Sequence, residues 1–107
     1  MTENVEIVSS RDGDTVTVTG SGELDLRKTD RLWQVLEEAV ASGDKVVVDL
    51  RPALFIDTAA LSCLARAGKI MYEQGRRLVV KVKDKTHPRH VLEIVRFEAL
   101  MDVIVEK

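Results

Sequence analysis

Apolar and polar positions alternate strictly through Thr15-Val16-Thr17-Val18-Thr19, the two-residue period of a strand with one buried face. Val5 to Val8 carries a shorter, partly alternating version, and Asp12-Gly13-Asp14 between the two is a hairpin turn signal. The period then lengthens. Leu32, Val35, Leu36, Ala39 and Val40 recur at the spacing of one helix face, which predicts a helix over 29–42 with Thr29 as N-cap and Trp33 bordering the apolar face. Ser42-Gly43 closes it, with the glycine free to take a left-handed conformation. Lys45 to Leu50 reads as a strand whose consecutive valines predict burial on both faces, as in a parallel sheet.

A second helix is predicted over 58–74, ending at Gln74-Gly75. Its inward stripe is Leu61, Leu64, Ala65, Gly68 and Met71 or Tyr72; Ser62, Arg66, Lys69, Ile70 and Glu73 fall outward. The small residues Ala59, Ala60, Ala65, Ala67 and Gly68 let this helix lie close to a sheet. Leu78 to Val82 is another strand, and Met101 to Val105 a last short one. Between them a third helix spans 87–96, with Pro88 in its first turn and Val91, Leu92 and Val95 on its apolar face. Glu23-Leu24-Asp25-Leu26 is a short extended piece after the Gly20-Ser21-Gly22 turn.

The order β-β-α-β-α-β-α-β predicts one α/β domain over 1–107. Its sheet is mixed, with an N-terminal antiparallel hairpin, later strands parallel through right-handed crossovers, and about three main helices. A chain of 107 residues buries enough surface for a real core. The net charge of −2 argues against direct nucleic-acid binding, which needs a basic surface. No apolar run approaches the roughly 20 residues of a membrane span, so no membrane insertion is expected. The N-terminal residues lack the charged-then-apolar pattern of a secretion signal, and a single cysteine forms no internal disulfide; both fit a cytoplasmic protein.

Candidate chemistry is sparse. His87 and His90 are three apart but have no third ligand in view, and Lys85, Arg89 and Arg96 beside them disfavour a cation; they read as surface histidines. Cys63 lies one position off the core stripe without an activating base, and reads as small and half-buried. No phosphate-binding glycine loop or nucleophile elbow is present. Glu23 and Asp25 have no nucleophile to serve. The expectation is a protein without enzymatic activity, metal or cofactor.

One junction stands out. The strand at Val46-Val47-Val48-Asp49-Leu50 runs out, Pro52 breaks the chain, and Phe55-Ile56 leads into Asp57-Thr58 at the start of the second helix. Aspartate and threonine are favoured caps for the orphan N–H groups of a first turn. The same position offers a hydroxyl at the positive end of a helix dipole, where an added phosphate meets free donors. Capping and phosphorylation are both open on these residues.

Four segments resemble the STAS domain, the fold of bacterial anti-sigma factor antagonists. They are Gly22-Glu23-Leu24-Asp25; Val46-Val47-Val48-Asp49-Leu50; Phe55-Ile56-Asp57-Thr58-Ala59-Ala60-Leu61; and Val91 through Leu100. Their order and spacing extend the resemblance over nearly the whole chain. It departs from the family pattern at Thr58, where serine is commoner, and at Ala59, Ala60 and Arg96.

The resemblance implies an antagonist that binds an anti-sigma factor which is also a GHKL-type serine-threonine kinase. Phosphorylation at Thr58 would switch it off, and a PP2C-type phosphatase would restore it. It implies a partner surface of Glu23, Asp25, Asp57, Thr58, Ser62, Arg66 and Lys69. A homodimer is left open. The alternative implied by Asp-Thr versions of the motif is a regulatory or assembly subunit of a lipid-transporting ABC complex or a stressosome-like assembly, in which Thr58 packs without being phosphorylated.

Overall fold

Strand β1 (Ile7–Asp12) turns back through Gly13-Asp14 into β2 (Thr15–Gly20), and Gly13 takes φ +61° in the tight turn. The structure, a computed structural model, describes residues 6–107. The predicted first strand reached from Val5 to Val8; Val5 lies outside the described residues, and the strand continues to Asp12. Ser9 to Asp12 are exposed throughout. An edge strand needs only its backbone to pair, so this stretch carries no apolar alternation.

The remaining elements are β3 (Gly22–Leu24), α1 (Thr29–Ser42), β4 (Lys45–Asp49), β5 (Ala53–Ile56), α2 (Thr58–Glu73), β6 (Leu78–Lys83), α3 (His87–Val95) and β7 (Met101–Glu106). The main sheet has the order β1-β2-β4-β6-β7, antiparallel only between β1 and β2. Val16 and Val18, Val46 and Val48, Leu78, Val80 and Val82, and Met101 are buried on one face. Helix α1 packs against β1, β2 and β4, while α2 and α3 pack against β6. Each fully buried aliphatic side chain contributes about 1.5–3 kcal/mol. The opposite face carries Thr17, Val47 and Val79, all half-buried. The valines of β4 are therefore not buried on both faces; a parallel sheet covered by helices on one side alternates like an antiparallel one.

Helix α1 grows straight out of a 3₁₀ turn at Leu26–Lys28. Thr29 is thus its first residue rather than its N-cap; Lys28 holds the cap position without a side-chain hydrogen bond. Gly43 is extended, with φ −110°, not left-handed. Glycine is needed there for space, since a Cβ would sit 2.8 Å from Val16 Cγ2. Arg76 supplies what a left-handed cap would have done, donating Nη1 to the Gly43 carbonyl (2.7 Å) and Nη2 to that of Val40 (3.0 Å).

Helix α2 buries Ala60, Leu61, Cys63, Leu64, Ala67, Gly68 and Met71. A Cβ at Gly68 would stand 3.3 Å from the Leu100 carbonyl oxygen, so the helix does lie close to its neighbours. Details of the predicted stripe change: Ala65 is half-buried, Tyr72 is exposed, Cys63 is fully buried, and Ile70 packs against the core instead of facing out. The buried surface is wider than one stripe, because α1 covers the Cys63 side while β6 lies beneath.

Strands β3 and β5 pair with each other as a separate two-stranded parallel sheet, where the sequence pattern offered only unpaired extended pieces. This small sheet positions the candidate site.

Candidate functional site

Register in the small sheet places Leu24 opposite Ile56, so both strands run out together. Asp57 donates its backbone N–H to the Leu24 carbonyl (3.2 Å), tying the two exits. Each strand is succeeded by an aspartate in nearly the same conformation: Asp25 at φ −100°, ψ −175° and Asp57 at φ −103°, ψ −178°. Each aspartate caps the helical turn after it. Asp25 Oδ1 accepts the Arg27 N–H (3.0 Å) at the 3₁₀ turn, and Asp57 Oδ1 accepts the Ala60 N–H (3.1 Å) at the start of α2.

The capping and hydroxyl functions of the Asp57-Thr58 pair are thereby separated. Asp57 is the cap. Thr58 is the first helical residue and is exposed, and among the described residues its hydroxyl has no hydrogen-bond partner within the chain. The Leu61 N–H goes to the Asp57 carbonyl. That leaves the Thr58 and Ala59 amides as the unspent donors of the first turn, beside a free hydroxyl.

The other predicted residues divide into two groups. Ser62 and Arg66 come after Thr58 at steps of four along the exposed face of α2, and Lys69 lies one turn further. Ser62 Oγ donates to the Thr58 carbonyl (3.0 Å), so it braces the backbone of the first turn. Asp25 is not a free acid: Arg27 Nη2 lies 2.7 Å from its Oδ2, and this hydrogen bond holds the carboxyl below its ordinary range. Glu23 is exposed on β3 and lines an open cleft with Glu6, Arg27, Lys28 and Leu54; Lys28 Nζ contacts both the Glu6 carboxylate and the Glu23 carbonyl. Burial pushes the Cys63 thiol up, away from the thiolate a nucleophile requires.

Three further residues belong to the neighbourhood. Leu26, directly after Asp25, is 72% exposed, an apolar side chain offered to solvent beside the acidic pair. His87 is not an unengaged surface histidine. Its Nδ1 accepts the Ile56 N–H (3.2 Å), and its ring stacks on Phe55 at 4.5 Å. Trp33 on α1 lies beneath the Arg66 guanidinium, 4.1 Å from ring centre to Cζ. Its place at the border of the α1 stripe was the available signal; nothing in the spacing of His87 points to Ile56. Among the described residues no group of three or more His, Cys, Asp or Glu could hold a metal ion, and no helix is long and apolar enough to cross a membrane.

Known structures share this architecture. An anti-sigma factor antagonist from Mycobacterium paratuberculosis superposes with a TM-score of 0.81 at 19% identity, covering 92% of this chain and 83% of that one. A candidate anti-sigma factor antagonist from Thermotoga maritima gives 0.78 at 16% identity, covering 94% and 86%. The Bacillus cell fate determinant SpoIIAA in its phosphorylated form gives 0.70 at 14% identity, covering 91% and 89%. At these identities the likeness is one of fold. No curated protein matches the sequence significantly. The family model described as "Mlab, STAS domain" matches residues 7–105, and by that match over almost its whole length the chain belongs to the STAS domain family.

Proposed function

We propose that this domain is an anti-sigma factor antagonist that works by partner switching. With Thr58 unmodified it binds a kinase-type anti-sigma factor through the start of α2 and the adjoining Asp25 loop, and so frees a sigma factor. Phosphorylation of Thr58 by that kinase breaks the complex, and a PP2C-type phosphatase restores it, all in the cytoplasm. The observation that carries this reading is the exposed, unbonded Thr58 hydroxyl next to a cap supplied by a different residue. Thr58 lies one position past the cap, so its hydroxyl is not used to satisfy the first turn.

The physics of the switch stems from that placement. Phosphorylation adds about −1.5 to −2 charges at one point. Within the domain, the spare Thr58 and Ala59 amides and the helix dipole stabilise the new charge, so the fold survives. Across an interface the dianion, next to the Asp57 carboxylate, costs desolvation and repels acidic groups of the partner. SpoIIAA, of similar fold, is known in unphosphorylated and phosphorylated forms, which supports the reading.

The test is affinity capture of the native protein, with mass analysis of its partners and of Thr58. A GHKL-type kinase as partner and a phosphate on Thr58 are expected. Transporter subunits as partners, with Thr58 never modified, would replace this reading by an assembly subunit.

A further inference from the structure

A groove of about 390 Å³ separates α1 from α2 one turn beyond Thr58, lined by Thr29, Asp30, Trp33, Ala59, Cys63 and Arg66 among others. Trp33 is the only tryptophan of the chain and is half-buried. The Arg66 guanidinium lies over its ring at 4.1 Å, reaching from α2 to α1. This stack fixes the guanidinium plane without consuming its N–H groups. Among the described residues Arg66 donates no hydrogen bond and meets no carboxylate within 4 Å. By contrast Arg27, Arg51 and Arg77 are all engaged with acids. Asp30, on the opposite wall, is likewise unpaired among the described residues. The groove therefore brings together the Trp33 indole, one ring face covered by the Arg66 guanidinium, the small Ala59 and Cys63 side chains, one stacked base and one exposed acid.

We infer that this groove is a docking pocket for an apolar side chain of a partner protein, flanked on the partner by a carboxylate for Arg66 and a cationic group for Asp30. The inference rests on the partner-switching reading and deepens it by adding α1 to the interface. Charge complementarity selects this occupant. A purely acidic segment would be repelled by Asp30, and a basic one by Arg66 and by the neighbouring Lys69. Tryptophan and arginine in a desolvated pocket are the residue types that dominate interface energetics. Ala59 lines the groove, so an occupant seated here has contacts within a turn of the Thr58 hydroxyl.

The test uses the whole chain labelled with 5-fluorotryptophan, which gives a single fluorine resonance from Trp33. The probes are the GHKL-type anti-sigma factors encoded in the same genome, purified. On saturation the Trp33 resonance is expected to shift, and Arg66→Glu and Asp30→Lys each to weaken binding by about 30-fold. Arg66→Lys keeps the charge but loses the fork and is expected to recover binding only in part. Thermal melts of each variant check that the fold is retained. A saturated complex that is lost in Thr58→Glu but leaves the Trp33 resonance unmoved, with Arg66→Glu binding like wild type, overturns the pocket and leaves the switch standing. Failure of every such probe to bind either wild type or Thr58→Ala overturns both.

Discussion

The Asp57 N–H donates to the Leu24 carbonyl at 3.2 Å, and this bond joins two loops that are 33 positions apart in the chain into one surface. It closes the small parallel sheet at the point where both strands end, so the Asp25 turn and the α2 N-terminus lie side by side. Asp57 is held where its carboxylate can cap Ala60, and the Thr58 hydroxyl has no hydrogen-bond partner among the described residues.

The cap gives a separable prediction. Asp57→Ala should lower unfolding stability by about 1 kcal/mol, the usual loss for a side-chain cap. Asp57→Asn should stay within a few tenths of wild type, because an amide oxygen caps as well as a carboxylate oxygen. Urea unfolding of the three proteins checks this. Equal stability of Asp57→Ala and wild type would mean that the Ala60 bond contributes nothing.

His87 anchors the strand that leads into the site. Replacing it with phenylalanine keeps a ring against Phe55 but removes the acceptor of the Ile56 N–H. A buried or half-buried donor left without a partner costs about 1–3 kcal/mol. His87→Phe should therefore be destabilised by about that amount, and the Ile56 amide should exchange with solvent faster than in wild type. Hydrogen exchange resolved at that amide is the measurement. Unchanged protection would place the Ile56 bond elsewhere.

Acid sensitivity should centre on Asp49. Arg51 lies beside it, Nη2 to Oδ2 at 2.8 Å, and also reaches Glu106 at 2.7 Å. The hydrogen bond from Arg51 holds the Asp49 carboxyl below its ordinary value of 3.8. Since the folded state binds this proton less readily than the unfolded chain, the contribution is fully present above pH about 4. It is lost as pH falls through the lower, folded value. Arg51 is partly exposed, so solvent screening keeps this contribution small. Asp49→Asn should show a correspondingly shallower loss of stability as pH falls below about 4, measured by urea unfolding across acid pH.

Much of this was legible in the chain, for identifiable reasons. The helices expected over 29–42, 58–74 and 87–96 are found at Thr29–Ser42, Thr58–Glu73 and His87–Val95, because their apolar faces repeat over several turns. The β1–β2 hairpin and the parallel later strands are also as expected. The small sheet was not legible. Its strands are three and four residues long, and β5 shows a buried-exposed-exposed-buried pattern that has no two-residue period. Residues next in sequence to the site, Thr58 and Ser62, could be placed by helix spacing alone. Trp33 and His87 reach it only through tertiary contacts, across α1 and α3, which no local pattern encodes.

In the partner-switching proposal, charge on Thr58 decides whether the partner is held. Calorimetric titration of a purified GHKL-type anti-sigma factor into unmodified protein, Thr58→Ala and Thr58→Glu measures it directly. Thr58→Ala is expected to bind like unmodified protein. Thr58→Glu should keep its fold and bind about 30- to 150-fold more weakly, the equivalent of a penalty of about 2–3 kcal/mol. Equal affinity for unmodified protein and Thr58→Glu would contradict it and leave Thr58 as an ordinary first residue of a helix.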